Sequence, residues 1–391
     1  MSNQYMQLLI TFVVSFAVAF ALTPFVRWLA PKIRAVDVPK DNRRMHKKPI
    51  PLCGGLAIFF GFTVGVCVFY TIFCGGLTRE IIAFLGGALL IVIVGVIDDI
   101  IDLKPLLKLV GQIIAACIVA SQGVLISGIN ISGIIVDFGP WAYLITVFWI
   151  VAMTNAINLI DGLDGLACGI SAISGISILL IAILASDFPV ALVTASLVAG
   201  CFGFLPFNSN PASIFMGDTG AMFLGYSLAI VSIMGVVKTS MIVSLIIPLI
   251  IFGLPIFDTS FAFARRILQG RSPFSADRGH LHHRLIDAGF NQRQSVMILY
   301  TVCSVLGLLG ILLAENKILI FLILLGCSIA IGIYNLILLR RHIRARDAEL
   351  AKAEKAAAGT APADNEILLK TAAPSEDGSS PADGEQQKEQ E

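Results

Sequence analysis

Acidic residues grouped at the ends of apolar segments are the first candidates for chemistry in this sequence. The segment VIDDIID contains Asp98, Asp99 and Asp102. If the helix continues, spacings of three and four residues put Asp102 on one helical face with Asp98 or Asp99. Carboxylates that converge in this way repel one another unless a divalent cation or a basic side chain lies between them. The segment therefore indicates a cation site, with acids paired to Lys104 and Lys108 at a solvated helix end as the simpler alternative.

Two further acidic motifs precede apolar segments. In NAINLIDGLDG, Asp161 and Asp164 lie beside glycines that allow close approach of a ligand, and the free N–H groups of the next helix suit a phosphate or a polar base. In FNSNPASIFMGDTG, Asp218 occupies a Gly-Asp-Thr-Gly turn. Proteins usually hold Mg²⁺ with one or two carboxylates and substrate phosphates, so Asp218 is the predicted metal ligand. The ordinary alternatives are a capped turn for the first motif and an N-cap for the second.

A basic motif with three histidines, HLHHR, follows near residue 280. Three imidazoles could bind zinc, but these lack the i, i+4 spacing of helical zinc ligands and have no nearby cysteine. An anion site for a diphosphate is the preferred interpretation because arginines are concentrated around the motif. These arginines are Arg265, Arg266, Arg271, Arg278 and Arg284.

The composition indicates that membrane helices position these motifs. The chain of 391 residues is 57% hydrophobic and only 14% charged, which excludes an ordinary soluble enzyme. A helix that crosses the bilayer needs about 20 apolar residues. We therefore predict an all-α, polytopic membrane protein with about 11 transmembrane helices. The predicted spans are 6–30, 52–73, 82–98, 106–125, 140–158, 163–184, 189–206, 219–237, 241–258, 294–314 and 317–339.

Lysine and arginine are concentrated in alternate loops, within 31–51, within 259–293 and after the last span, whereas the opposite loops contain only Arg79, Lys238 and Lys317. Because short cytoplasmic loops retain positive residues, we expect the N-terminus outside, the C-terminus in the cytoplasm and the motifs on the cytoplasmic side. Residues 347–391 have few large apolar side chains and more acidic than basic residues, which predicts a disordered acidic cytoplasmic tail.

The motifs HKKPIPLCGG, VIDDIID, NAINLIDGLDG, FNSNPASIFMGD and HLHHR resemble, in order and along nearly all of residues 1–340, those of the polyprenyl-phosphate N-acetylhexosamine-1-phosphate transferases. This family is kin to the phospho-MurNAc-pentapeptide translocases. The His-x-His-His form and eleven spans resemble the branch that uses UDP-GlcNAc. Cys53 stands where a bulkier residue is expected, before two glycines.

The resemblance implies an enzyme that transfers GlcNAc 1-phosphate from UDP-GlcNAc to undecaprenyl phosphate and releases UMP. Residues 1–346 would form the transmembrane transferase domain. The reaction would need Mg²⁺, or Mn²⁺ in its place, and would take place on the cytoplasmic face of the plasma membrane. It would be the first membrane step of an envelope glycan such as teichoic acid or the O-antigen of lipopolysaccharide. We expect membrane lipid around the protein and no nucleic-acid partner, and a homodimer is left open.

The resemblance also implies roles for individual residues. Asp218 resembles the metal ligand, and Asp98 and Asp99 resemble a pair that positions the lipid phosphate and accepts its proton. Residues assigned to catalysis are Asp98, Asp99, Asp161, Lys108, His280, His282 and His283. Residues assigned to substrate binding are Lys47, Lys48, Asn158, Gly162, Leu163, Asp164, Asn208, Phe215 and Arg284. In this second group, 162–164 and the stacking ring of Phe215 resemble a uracil pocket. Direct displacement and a covalent intermediate both stay open.

Other functions fit the sequence less well. A phospho-MurNAc-pentapeptide transferase of peptidoglycan synthesis is the main alternative. An intramembrane aromatic prenyltransferase also binds Mg-diphosphate through DDxxD, but it has no use for HLHHR or the asparagine-rich turn. A secondary transporter would place its acidic residues near the bilayer midplane within an inverted repeat, whereas the acidic motifs here lie at one predicted membrane face.

Overall fold

The protein is largely helical. The computed structural model describes residues 2–38, 48–131, 134–236, 243–270, 279–315 and 317–327. The helices are α1 Ser2–Leu29, α2 Gly55–Phe73, α3 Arg79–Ile101, α4 Pro105–Ser121, α5 Trp141–Ile160, α6 Leu166–Leu184, α7 Phe188–Asn208, α8 Gly217–Val236, α9 Val243–Ile251, α10 Gly253–Leu268, α11 Leu281–Asp287, α12 Gln292–Ala314 and α13 Ile318–Cys327.

Two small antiparallel strand pairs depart from the predicted all-α class. Strands β1 Val36–Asp37 and β2 Ile50–Pro51 pair before α2, and strands β3 Gly128–Ile131 and β4 Ile134–Asp137 pair between α4 and α5. They are too short for hydrophobic periodicity to reveal them in the sequence.

Among the described residues, eight helices are long and apolar enough to cross a membrane: α1, α2, α3, α5, α6, α7, α8 and α12. They correspond to eight of the predicted spans and support a multi-pass membrane protein. Two further predicted spans correspond to the shorter apolar helices α4 and α13. The last predicted span, 317–339, extends beyond the described residues. The predicted tail lies entirely outside them. The orientation of the chain in the membrane stays a prediction.

The predicted span 241–258 is wrong as a single helix, because the chain divides into α9 and α10 at Phe252. The reason lies in Pro255, which has no backbone N–H to donate to the carbonyl of Ile251. The N–H of Phe252 still donates to Pro248, and that of Ile256 donates to Phe252. The break makes α10 a separate helix that extends to Leu268.

Helices α7 and α8 are the most enclosed of the long helices. Helix α8 packs against α2, α3, α5 and α6, while α7 packs against α1, α2 and α6. A helix that is apolar on every side is stable only where neighbours surround it or lipid does. The beginning of α8 therefore lies where several helices can place side chains around it.

Glycines allow the backbone to pack closely at the beginning of α8. A Cβ on Gly55 would overlap the backbone of Gly220, and a Cβ on Gly95 would lie 2.7 Å from the backbone nitrogen of Thr219. The segment before α2 also pairs with the segment before α8, since the N–H of Gly54 donates to the carbonyl of Phe215 over 3.0 Å. These contacts explain the two adjacent glycines of the CGG segment and fix the position of Asp218.

The acidic motifs of the sequence meet at one end of the helix bundle. Helices α3, α5 and α7 end there, and α4, α6 and α8 begin there after connections at 102–104, 161–165 and 209–216. Short connections make consecutive helices antiparallel neighbours, which brings every second connection to the same end. The predicted convergence of the three acidic motifs follows from this arrangement.

Candidate active site

Three carboxylates and one ammonium form the centre of the site. Oxygen atoms of Asp98, Asp99 and Asp218 lie within 4.8 Å of one another. The Nζ of Lys108 lies 2.6 Å from Oδ2 of Asp98 and 2.6 Å from Oδ2 of Asp218. Asn158 donates from Nδ2 to the other Asp218 oxygen over 3.0 Å. Three acidic groups around one ammonium leave an excess of negative charge, which suits a further cation.

Asp99 also holds the beginning of α8 in place. Its carboxylate accepts hydrogen bonds from the backbone N–H of Asp218 over 2.8 Å, from the N–H of Thr219 over 3.3 Å and from the Thr219 hydroxyl over 2.6 Å. These are the N–H groups that a helix leaves without intrahelical partners, and an anion there is favourable. The second aspartate of the DD pair is therefore an N-terminal cap supplied by a different helix.

Asp98 and Asp102 behave differently from each other. Asp98 is buried, and its Oδ1 accepts the backbone N–H of Leu103 over 2.8 Å while Oδ2 contacts Lys108. Asp102 adopts the left-handed conformation with φ of 54° and ends α3. The helix does not continue, so the expected shared face of Asp98 and Asp102 is wrong. Of the two lysines considered for pairing, Lys108 makes the ion pairs with the described acidic cluster.

The DGLDG loop joins α5 to α6 beside this cluster. Burial raises the pKa of Asp161 to about 8, and the carboxylates of Asp218, Asp99 and Asp164 add to that rise. Asp161 thus favours its neutral form at pH 7, because its surroundings are already negative. Its protonation state depends on whatever cation the cluster holds.

Asp164 and Asn208 hold the loop that leads to α8. Oδ2 of Asp164 accepts the side-chain N–H of Asn210 over 2.9 Å and the backbone N–H of Ala212 over 3.0 Å. Asn208 is buried and donates to the carbonyl of Ile214 over 3.0 Å. Both residues were predicted to bind substrate, and both have a structural task in this loop.

Residues of α12 complete the same loop and were missed in the sequence analysis. Gln292 accepts the Asn210 amide over 2.8 Å, and Arg293 donates from its NH2 group to the Asn210 carbonyl over 2.9 Å. Tyr300 donates to the carbonyl of Gly165 over 2.6 Å. The sequence around the FNSNP turn and the DGLDG loop does not indicate these partners, because they lie more than 80 residues away in the chain.

The HLHHR motif forms the short helix α11, and it packs against the DGLDG loop. The ring of His282 is buried and touches Gly162, where an added Cβ would overlap the ring. Burial lowers the pKa of His282 to about 3, with a further contribution from His283 and His280. His282 is therefore neutral at pH 7. The guanidinium of Arg284 is exposed and lies 5.3 Å from the ring centre of Phe261.

Comparison with known proteins places this chain in a family. Residues 81–236 match the model of glycosyl transferase family 4. The chain is 39% identical over 323 residues to a Bacillus subtilis (strain 168) protein described as a "probable undecaprenyl-phosphate N-acetylglucosaminyl 1-phosphate transferase", with 81% of this chain and 88% of the relative covered. The chain belongs to this transferase family.

Two other members show how far the similarity extends. A decaprenyl-phosphate N-acetylglucosaminephosphotransferase of Mycobacterium tuberculosis (strain CDC 1551 / Oshkosh) is 36% identical over 310 residues, with 72% of this chain and 76% of the relative covered. An undecaprenyl-phosphate α-N-acetylglucosaminyl 1-phosphate transferase of Escherichia coli (strain K12) is 28% identical over 297 residues, covering 74% and 79%. The resemblance read from the motifs is confirmed.

Most of the predicted site of this family 4 transferase lies in one region. The part matched by the family model contains the carboxylate cluster, Lys108, Asn158 and the DGLDG loop. The structure adds α11 to that loop through Gly162 and His282. Leu163 is buried in the hydrophobic core.

Other predicted residues are less closely connected to this region. Phe215 is half-buried, and its N–H donates to Pro51 over 2.8 Å. Lys48 is exposed just before β2. Lys47, together with the arginines at 271 and 278, lies outside the described residues. Their predicted roles in binding uridine or diphosphate stay predictions.

Proposed function

We propose that this family 4 transferase moves GlcNAc 1-phosphate from UDP-GlcNAc to a membrane polyprenyl phosphate. An oxygen of the lipid phosphate forms a bond to the β-phosphorus of the nucleotide sugar, the bond from that phosphorus to the bridging oxygen breaks, and UMP leaves. The products are polyprenyl-diphosphate-GlcNAc and UMP. The observation that carries the proposal is the cluster of Asp98, Asp99 and Asp218 around Lys108 at the end of an apolar helix bundle.

A divalent cation fits the donor set of this cluster. Mg²⁺ and Mn²⁺ prefer carboxylate oxygens, and the three aspartates outnumber the single ammonium that pairs with them. Asp218 would hold the ion, with Asp98 and Asp99 close enough to contribute further carboxylate oxygens. A bound ion would neutralise part of the negative charge on the two phosphate groups, which must approach each other for the transfer.

The protein's own residues contribute positioning and charge. Lys108 contacts the carboxylates of Asp98 and Asp218, which leaves the third N–H of its ammonium for an incoming phosphate. Asp99 keeps Asp218 in place by capping α8. On α11, which contacts the DGLDG loop through His282, the exposed Arg284 would donate to the diphosphate. Orientation of two anions in this way supplies much of the catalysis in phosphoryl transfer.

The cytoplasmic face of the plasma membrane is the proposed location of this site. The motif loops lie in the set of connections that is rich in lysine and arginine, and such loops face the cytoplasm in most membrane proteins. UDP-sugars are soluble and polyprenyl phosphates are held by lipid, so a site at a membrane surface can reach both. The proposed reaction is the first membrane step in the synthesis of an envelope glycan.

Release of UMP tests the proposal directly. Purified protein in lipid nanodiscs, supplied with undecaprenyl phosphate and Mg²⁺, should release UMP from UDP-GlcNAc. UDP-GalNAc and UDP-MurNAc-pentapeptide, tested side by side, should be poorer donors. Preference for UDP-MurNAc-pentapeptide would instead support the translocase alternative, and absence of UMP release from all three would contradict the proposal.

A further inference from the structure

A buried aspartate on α10 lies outside the carboxylate cluster. Asp258 is only 4% exposed. Its Oδ2 lies 2.9 Å from Nδ1 of His280, and its Oδ1 accepts the backbone N–H of Leu281 over 2.8 Å. A buried carboxylate is costly unless it is paired and hydrogen-bonded, and here two hydrogen bonds from the HLHHR segment satisfy it.

Both of these bonds fix the beginning of α11. His280 occupies the N-cap position of that helix, and its own side chain does not cap the helix. The carboxylate of Asp258 caps it instead by accepting the N–H of Leu281, the first residue of α11.

A continuous series of contacts leads from Asp258 to the DGLDG loop. The rings of His280 and His282 are nearly parallel, with centres 5.7 Å apart and planes at 9°. His282 then touches Gly162, the residue after Asp161. His283 follows, with its ring centre 4.3 Å from that of His282. The position of Asp258 is therefore transmitted to the loop through packed rings.

The hydrogen bond also decides which nitrogen of His280 carries a proton. An ionised carboxylate can only accept hydrogen bonds, so Nδ1 of His280 must be the donor whether the ring is neutral or protonated. In the neutral ring, Nε2 then has a free lone pair. At metal sites, changing the partner that orients a histidine in this way costs about 10–100-fold in metal affinity or activity, and we expect an effect of the same order here.

We propose that Asp258 is a positioning residue for the sugar-phosphate transfer, which fixes the proton of His280 on Nδ1 and holds α11 against the DGLDG loop. The inference rests on the proposed function. It assigns to α10 a direct part in organising the site, although α10 contributes no residue to the carboxylate cluster.

Replacement of Asp258 by asparagine separates the two tasks of the carboxylate. Asparagine has the same shape, and its oxygen can still accept the N–H of Leu281. Its NH₂ group would then face Nδ1 of His280, which must become an acceptor, so the proton moves to Nε2. For Asp258→Asn we expect kcat to fall about 10–100-fold, with little change in the KM for UDP-GlcNAc or in the melting temperature. Asp258→Ala should lose both tasks and lower the melting temperature as well.

A matched control is available in the exposed residue Asp137, whose Oδ1 accepts the N–H of Gly139 over 2.9 Å. Asp137→Asn makes the same chemical change and preserves that hydrogen bond, so it should keep the wild-type kcat. If Asp258→Asn also keeps the wild-type kcat, Asp258 serves only as a cap and the inference is overturned. If the fall in kcat is accompanied by an equal loss of folded protein, the role is structural and the inference is again overturned.

A double-mutant cycle with His280→Gln tests whether Asp258 acts through His280. Measured with radiolabelled UDP-GlcNAc so that slow variants remain quantifiable, Asp258→Asn should cause little further loss of kcat in the His280→Gln background. Losses that multiply independently would contradict the inference. A wild-type protein that fails to release UMP from UDP-GlcNAc would contradict the proposed function, whereas an active wild type with an unaffected Asp258→Asn variant would contradict only the inference.

Discussion

Substitution of Gly162 by alanine should disturb the site while leaving the fold intact. The backbone of Gly162 does not adopt the left-handed region, so alanine is compatible with its conformation. Its Cβ, however, would overlap the ring of His282 and lie 2.7 Å from Cε1 and 3.0 Å from Cδ2. Carbon atoms in contact are usually about 3.5–4.0 Å apart, so the ring or the loop must move by about 1 Å.

The size of that shift sets the expected effects. His282 is buried between the rings of His280 and His283, so it cannot move without displacing them. Overpacking of this kind costs about 1–3 kcal/mol of stability. A misplacement of about 1 Å near reacting groups can lower the rate about 100-fold. We therefore expect Gly162→Ala to lower kcat about 100-fold with a small fall in melting temperature.

Initial rates of UMP release and thermal unfolding of the purified protein measure the two effects. Gly86→Ala on α3 is the matched control, because a Cβ at Gly86 meets no atom within 4 Å. The control should keep full activity and gain up to about 1 kcal/mol from helix propensity. In a His282→Ala background the stability cost of Gly162→Ala should disappear. Wild-type kcat and melting temperature for Gly162→Ala would refute the proposed contact.

Other expectations follow from the acidic cluster, the tail and the topology. Asp218→Asn should lower Mg²⁺-dependent UMP release about 100-fold or more, and near wild-type activity with unchanged Mn²⁺ binding would contradict its role as metal ligand. Asp161 has a pKa of about 8 in the folded protein against an ordinary 3.8, so folding retains a proton that the unfolded chain releases. Its stabilising effect is therefore lost as the pH rises from about 4 to about 8, and in EDTA the melting temperature should fall across that range more in the wild type than in Asp161→Asn. Truncation after Arg346 should keep UMP release, and a large loss in a well-folded truncation would contradict dispensability of the tail. In a cysteine-free background, a cysteine at Ser132 should react with an impermeant thiol reagent in intact cells and one at Ser275 only after the membrane is opened, whereas the reverse pattern would invert the topology.

The sequence alone was sufficient for the helical class, for most of the spans and for the family. Apolar length identifies a membrane helix without knowledge of its neighbours, because each such helix satisfies its backbone hydrogen bonds internally. The cluster of Asp98, Asp99 and Asp218 was also foreseeable, since antiparallel helices with short connections bring alternate motif loops to one end of a bundle. Hydrophobic periodicity was less informative at two places. It did not show that the predicted span 241–258 divides near Pro255, or that α3 ends at Asp102.

Only the tertiary structure decided which task each polar side chain performs. Asp99 and Asp218 are separated by 119 residues, yet Asp99 caps the helix that begins beside Asp218. Asp164 bonds to the side-chain amide of Asn210, 46 residues away, and Asp258 bonds to His280, 22 residues away. Sequence spacing determines which residues share a face of one helix, but pairing between helices depends on how whole helices pack. That packing places the same residue type, aspartate, in a carboxylate cluster beside Lys108 at one position, in a helix cap at another and against a histidine at a third.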